Sequence, residues 1–413
     1  MDAEIITIGD ELLIGQVINT NQAYIAEQLN SVGISIRRMT TVGDDLETIL
    51  HACEQAWNSH EIVIATGGLG PTHDDITKTA LCRFFATDLV PNASLRERIE
   101  QFMRARGMRW SAASEEQTLV PRAATLFLNP VGTAPGMLFR QAGRILIVMP
   151  GVPYEMKEIM RQSVVPYLQG LRSGAAIVHR TLRTTGIAES VLSARLGNLD
   201  DLLRGASLAF LPSPRGVRLR VTVIDTSTSS AGARADAIEQ KIREKVGTYV
   251  YASGEVELEE TIGALLRERR LTIATAESCT GGLVADRITN VSGSSSYFER
   301  GVITYSNHSK TELLGVPEKL LQACGAVSKE VAEAMAAGIR RMAGTDIGVS
   351  TTGIAGPTGG SQEKPVGTVW IGYADAHSTV AVRFQFGDER IRVKERASQA
   401  ALEMVRRKIL QLE

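Results

Sequence analysis

Residues 271–283, LTIATAESCTGGL, constrain the fold more than any other stretch of the chain. An apolar, β-branched run stops at a turn of small residues holding Ser278. Thr280-Gly281-Gly282 then opens an apolar-periodic segment. The run reads as a buried strand and the periodic segment as a helix. A strand that passes into a helix through so tight a turn belongs to a layered α/β sheet. The turn then lies at the carboxyl end of the strand, where such sheets bind ligands. The Ser278 hydroxyl would stand at the mouth of the sheet, beside free backbone N–H groups able to hold an oxyanion.

The same alternation recurs along the chain. In residues 1–170, EIITIGDEL, ISIRRMTTVGDD, EIVIATGGLGPTHDD and RILIVMPGVPYEM read as strands running into loops, with amphipathic helices between them. That order predicts a mostly parallel sheet with helices on both faces. Residues 171–253 read as a small α+β module with a hairpin turning at 212–216. Residues 254–413 form a third unit. It starts with a helix carrying the stripe Leu258, Ile262, Leu265 and Leu266 and includes the Ser278 turn. A strand pair, GTVWIGYAD and TVAVRFQF, precedes a closing helix. A length of 413 residues accommodates three such domains.

Charge and composition exclude several classes. With 45 basic and 46 acidic residues, no surplus of positive charge argues for a nucleic-acid partner. Arg215, Arg218 and Arg220 read as solvated faces of the hairpin, and the module has no GxxG clamp. The N-terminus does not resemble a signal peptide, and no apolar run is long enough for a bilayer, so no membrane partner is expected. Cys53, Cys82, Cys279 and Cys324 show no CxxC pairing, which fits a reduced, cytoplasmic protein.

A serine nucleophile needs a base. GVITYSNHSKTELLGV follows Ser278 and supplies Tyr305 and Lys310. Ser306 or Asn307 caps a helix that ends at Gly315, which puts Lys310 in its first turn. Which of the two carries the proton stays open at this level. The plainer reading makes Tyr305 a half-buried strand residue and Lys310 a surface lysine. Cys279 is a rival nucleophile that reads better as a small packing residue. The loop STTGIAGPTGG brings glycines and the hydroxyls of Thr351 and Thr352 to another strand end. Arg390 and Arg392, just before the last helix, could clamp a phosphate.

In the first domain, Gly67, Gly68 and Gly70 follow a strand directly and precede His73, Asp74, Asp75 and Thr77. Asp10 and Glu11 end the first strand, and Asp44 and Asp45 the second. Acidic strand ends beside glycine amides suit a divalent cation and a diphosphate. Asp44 also fits a helix N-cap with Glu47 in the capping-box position. His73 is a weak ligand candidate.

These motifs together resemble the CinA family of bacteria over essentially the whole chain. GDELLIGQVINTNQAYIAEQL, TGGLGPTHDDIT, GTAPGM and PGVPYEM are similar to its N-terminal domain of molybdopterin-binding fold. ESCTGG, TYSNHSKTELLGV and TTGIAGPTGG are similar to its C-terminal nicotinamide mononucleotide deamidase domain. The resemblance implies a molybdopterin-binding-like domain at 1–170, a KH-type linker at 171–253 and an α/β/α deamidase at 254–413. It implies a bifunctional enzyme of pyridine-nucleotide recycling. One domain would convert nicotinamide mononucleotide to nicotinic acid mononucleotide and ammonia without a cofactor. The other would cleave ADP-ribose to AMP and ribose 5-phosphate with Mg, Mn or Co, and a monovalent cation belongs to the same family picture. Ser278, Tyr305 and Lys310 carry over as catalytic. Thr352 and one of Arg390 and Arg392 carry over as substrate-binding, and Asp44 and Asp75 as metal-binding. The residues themselves add Gly281, Gly353, Gly67, Gly68 and Gly70 as substrate-binding and Asp10 as metal-binding candidates. Where the family often reads Gly-Asp-Arg, this chain reads Gly387-Asp388-Glu389-Arg390. A homodimer is implied as well. The competing readings are a molybdopterin-binding protein and a non-enzymatic factor in competence or DNA uptake.

Overall fold

Alternating apolar strands and amphipathic helices build two compact units, Met1–Ile177 with Asp225–Ser227, and Val178–Ile224 with Thr228–Glu413. The structure is a computed structural model describing residues 1–70, 72, 75–171 and 176–412. His73 and Asp74, singled out in the glycine-rich loop, lie outside the described residues.

The first unit contains β1 (Asp2–Ile8), β2 (Ser35–Val42) and β3 (Ile62–Thr66). A short ribbon of β4 (Leu89–Pro91) and β5 (Leu119–Pro121) follows, then β6 (Thr125–Phe127), β7 (Gly136–Gln141) and β8 (Arg144–Met149). Six of these form one sheet in the order β2-β1-β3-β8-β7-β6. β2, β1, β3 and β8 are parallel, and β7 and β6 complete the sheet antiparallel. Side chains alternate faces along a strand. Ile5 therefore enters one core with Ile25, Leu29, Met156 and Ile159, while Ile6 enters the other with Ile49, Ala52 and Leu81.

The second unit holds two sheets. β9 (Ala176–Thr184), β10 (Ser207–Ser213), β11 (Gly216–Asp225) and β12 (Val250–Ser253) are ordered β10-β11-β9-β12. The helix Thr228–Val246 packs Ala235, Ile238 and Ile242 against Leu219, Val221 and Val223. The hairpin closes where Ser213 pairs with Gly216. β13 (Ile273–Glu277), β14 (Phe298–Ile303), β15 (Ile347–Gly353), β16 (Thr368–Ala374) and β17 (Thr379–Gln385) are ordered β14-β13-β15-β16-β17. β14, β13 and β15 are parallel, whereas β16 and β17 are antiparallel. Helix Lys329–Ala343 covers one face through Val331, Met335 and Ile339. Helices Leu258–Arg269 and Arg390–Leu410 cover the other through Ile262, Leu266, Ala397, Ala401 and Val405.

Two local expectations are corrected. The cap of helix Leu46–Ser59 is Asp45, not Asp44: its carboxylate accepts from the Thr48 N–H at 2.9 Å. Asp44 lies one residue too early to reach that donor, and its carboxylate accepts from the Asp10 N–H at 3.0 Å instead. The last helix begins at Arg390, so Arg390 and Arg392 belong to its first turn rather than preceding it.

Candidate active site

Three parallel strands, β14, β13 and β15, bring their carboxyl ends together. The Ser278 N–H donates to the Thr351 carbonyl at 2.9 Å, and the Thr304 N–H donates to the Glu277 carbonyl at 2.8 Å. This pairing seats the Ser278 turn between the Tyr305 segment and the loop after β15. Gly281 and Gly282 take φ of 62° and 96°, consecutive left-handed positions that turn the chain into helix Leu283–Thr289.

Helix Asn307–Leu314 is capped by Ser306, whose hydroxyl accepts from the Ser309 N–H, and it ends at Gly315 in the left-handed region. Lys310 is thereby aimed inward and is only 1% exposed. Its Nζ donates to the Thr304 carbonyl at 2.8 Å, the Tyr305 carbonyl at 3.4 Å and the Ser278 Oγ at 3.2 Å. Burial pushes the amine below the ordinary lysine range, and no carboxylate pairs with it among the described residues. Tyr305 meets the lysine through its main-chain carbonyl. Its side chain is 62% exposed, and the phenol accepts from Arg390 Nη2 at 3.0 Å. Arg390 Nη1 also donates to the Gly356 carbonyl at 2.8 Å, which ties the last helix to the loop after β15. Arg392 pairs with Glu389 at 2.8 Å on the exposed face.

Thr352 turns its hydroxyl to the Ala326 carbonyl at 2.7 Å. Its neighbour Thr351, on the opposite face of the strand, pairs with the Thr280 hydroxyl at 2.7 Å and so reaches the nucleophile turn. Gly353 ends β15, where a Cβ would press on Val369. Burial pushes the Cys279 thiol up to about 12, which leaves it protonated and unreactive at neutral pH.

Sequence reasoning passed over Glu277. Its buried carboxylate accepts from the Thr280 hydroxyl at 2.6 Å and from the N–H groups of Gly282, Val284 and Ala285 at 3.0, 3.1 and 2.8 Å. It occupies the N-terminus of the helix that follows Ser278. The Gly281 N–H is taken by the Ser278 carbonyl at 3.2 Å. Among the described residues the Thr280 N–H meets no acceptor, but Thr280 is fully buried, and the Cys279 N–H faces its own thiol. A carboxylate ending a buried strand one residue before the serine was the available signal.

In the first unit, the carboxyl ends of β1, β3 and β8 border a cavity of about 250 Å³ lined by Thr7, Glu11, Asn19, Thr66, Gly151 and Val152, among others. Gly67 and Gly68 have φ of 119° and 64°. A Cβ on Gly67 would strike the Ile8 carbonyl, one on Gly68 the Thr77 hydroxyl, and one on Gly70 the Asp75 carboxylate. The Ile8 backbone and the left-handed φ therefore demand glycine at 67, and the left-handed φ favours it at 68. Asp10 and Asp44 face each other, each accepting from the other's N–H, at 3.0 and 3.2 Å. Burial pushes the Asp44 carboxyl up, against the lowering effect of the Asp10 N–H. The charges of Asp10, Glu11 and Asp75 push it the same way as burial. Asp75 itself accepts from the Thr72 N–H at 2.9 Å. No group of three or more His, Cys, Asp or Glu side chains is set to hold a metal among the described residues.

Family models match in three blocks: "Probable molybdopterin binding domain" over residues 4–170, "Damage-inducible protein CinA KH domain" over 179–252 and "CinA C-terminal domain" over 255–409. A CinA-like protein of Salinibacter ruber is 46% identical over 410 residues, covering 98% of this chain and 99% of its own. The chain belongs to the CinA family. CinA-like proteins of Chloroherpeton thalassium and Kosmotoga olearia are 46% and 42% identical over 98% and 100% of this chain. The competence/damage inducible protein of Agrobacterium tumefaciens, a solved structure, is 39% identical over 36% of this chain and 91% of its own, at a TM-score of 0.35. No helix among the described residues is long and apolar enough to cross a membrane.

Proposed function

We propose that the C-terminal CinA domain hydrolyses the carboxamide of nicotinamide mononucleotide to nicotinic acid mononucleotide and ammonia. The observation that carries this reading is a buried lysine without a carboxylate partner, 3.2 Å from a serine hydroxyl at the mouth of the sheet. A neutral Lys310 has two N–H bonds for the Thr304 and Tyr305 carbonyls and one lone pair for the Ser278 hydroxyl. That inventory matches a general base.

Ser278 Oγ attacks the carboxamide carbon as its proton passes to Lys310 Nζ. Backbone N–H groups of the Ser278 turn hold the oxyanion. The tetrahedral species collapses, the C–N bond breaks, and Lys310 returns the proton to the departing nitrogen, which leaves as ammonia. Water then attacks the acyl ester, gives its proton to Lys310, and the ester C–O bond breaks. The serine recovers its proton and the nicotinic acid product is released. The test is ammonia release from the mononucleotide by wild type and by Ser278→Ala of unchanged circular dichroism. A loss of roughly a thousandfold or more is expected. Near-native release by the variant sinks the scheme.

A second reading concerns the first unit. Crowded carboxylates at Asp10 and Asp44, with Asp75 near enough to act on Asp44, suit a divalent cation. Asp10 and Asp44 face each other, and Asp75, now on the Thr72 N–H, would have to be drawn in for the three to hold Mg, Mn or Co, which when bound would neutralise charge on a diphosphate. ADP-ribose is the proposed substrate, with AMP and ribose 5-phosphate as products. AMP formation should vanish with chelator while ammonia release persists. Tight molybdopterin binding without AMP formation would favour the competing reading.

A further inference from the structure

We propose that Lys394 is the anchor for the substrate's phosphate, an inference that rests on the carboxamide-hydrolase reading. Lys394 lies four residues after Arg390 in helix Arg390–Leu410, so the two share a face. Its Nζ lies 3.6 Å from where a Cβ on Gly281 would be. Gly281 has no side chain, so this ammonium faces the bare backbone of the nucleophile turn.

Its neighbours on the helix are matched. Arg392 pairs with Glu389 at 2.8 Å, Arg396 donates to the Phe386 carbonyl at 3.2 Å, and Arg406 and Arg407 pair with Glu403 at 2.7 and 3.7 Å. Lys394 is half-buried, yet it forms no hydrogen bond or ion pair among the described residues. An ammonium without a counter-charge beside the nucleophile turn is free to pair with an anion arriving with the substrate. Arg390, held by the Gly356 carbonyl and the Tyr305 phenol, has no carboxylate partner either. Lys394 thus borders the turn whose serine receives the carboxamide, and Arg390, one helical turn earlier, borders the loop after β15. A phosphomonoester at the other end of the substrate meets this requirement, and a lysine serves it as a point charge. The site is therefore built for a nucleotide rather than a nucleoside.

The test compares kcat/KM for ammonia release from nicotinamide mononucleotide and from nicotinamide riboside. Lys394→Met should cut the preference for the mononucleotide by roughly tenfold or more, chiefly through KM, and Lys394→Arg should restore most of it. An unchanged preference in Lys394→Met overturns the anchor. If wild type releases ammonia from neither compound, the carboxamide reading falls, and the anchor is judged separately. Ribose 5-phosphate should then raise the Tm of wild type and not that of Lys394→Met. Equal shifts in both, or none in either, overturn it.

Discussion

Lys310 is a buried amine beside the proposed nucleophile, with no carboxylate paired to it among the described residues. A lysine whose folded-state pKa is lowered makes the folded chain bind fewer protons than the unfolded chain. Stability then rises with pH between that lowered value and the unfolded value of about 10.4. Below this window both states are protonated and the full penalty of the buried charge remains. Lys310→Met should remove that slope from a plot of Tm against pH. It should also cut ammonia release by about a hundredfold or more. In wild type the rate should rise with pH, with its inflection below the ordinary lysine range. A pH–rate profile centred at or above that range would remove Lys310 as the base.

At the scale of the element, the turn after β13 depends on Glu277. One carboxylate satisfies the Thr280 hydroxyl and three N–H groups at the start of helix Leu283–Thr289. The favourable field of the helix N-terminus is spent on this side chain. Glu277→Gln would set an NH₂ group against these donors. Denaturant titration should show a loss of about 2–3 kcal/mol. kcat should fall more than KM changes, because the reacting geometry loosens while the phosphate end is untouched. A variant with native stability and native kcat would show that the turn holds itself. The same scale explains why Thr351 and not Thr352 meets Thr280: a period of two sends neighbouring hydroxyls to opposite faces.

At the scale of the whole molecule, charges join the residues matched by the KH model to those matched by the C-terminal model. Arg183 pairs with Glu255 and Glu257 at 2.6 and 2.5 Å, and Gln399 donates to the Thr185 hydroxyl at 3.0 Å. Arg287, on the helix after the nucleophile turn, is buried with Glu259 at 2.6 Å and Gln399 at 2.7 Å, and Arg215 of the β10–β11 hairpin stands 3.9 Å from Glu259. Burial pushes the Glu259 carboxyl up, but Arg287 outweighs it and holds the carboxyl below its usual range. This contribution is present above the unfolded carboxylate pKa and is lost as pH falls through the folded value. Arg287→Met leaves Glu259 buried and nearly unpaired, and should cost about 3–5 kcal/mol by denaturant unfolding. Adding Glu259→Leu should recover much of that loss. No recovery in the double variant would mean that the seam is held by packing alone.

The sequence by itself determined the order of strands and helices, the strand–turn–helix at Ser278, the end of the Lys310 helix and its cap to within one residue, and the family. Each of these is written in periodicity, small residues and capping groups that act within a few positions of one another. Tertiary structure alone decided which distant groups meet. It buried Lys310 on Ser278, turned the Tyr305 phenol to Arg390, filled the helix N-terminus with Glu277 and set Lys394 beside Gly281. It also moved the cap from Asp44 to Asp45, since a shift of one residue decides which N–H a short carboxylate can reach. Such pairings depend on sheet order and helix rotation. Those are settled by burying apolar surface over the whole domain, and no local stretch of sequence records them.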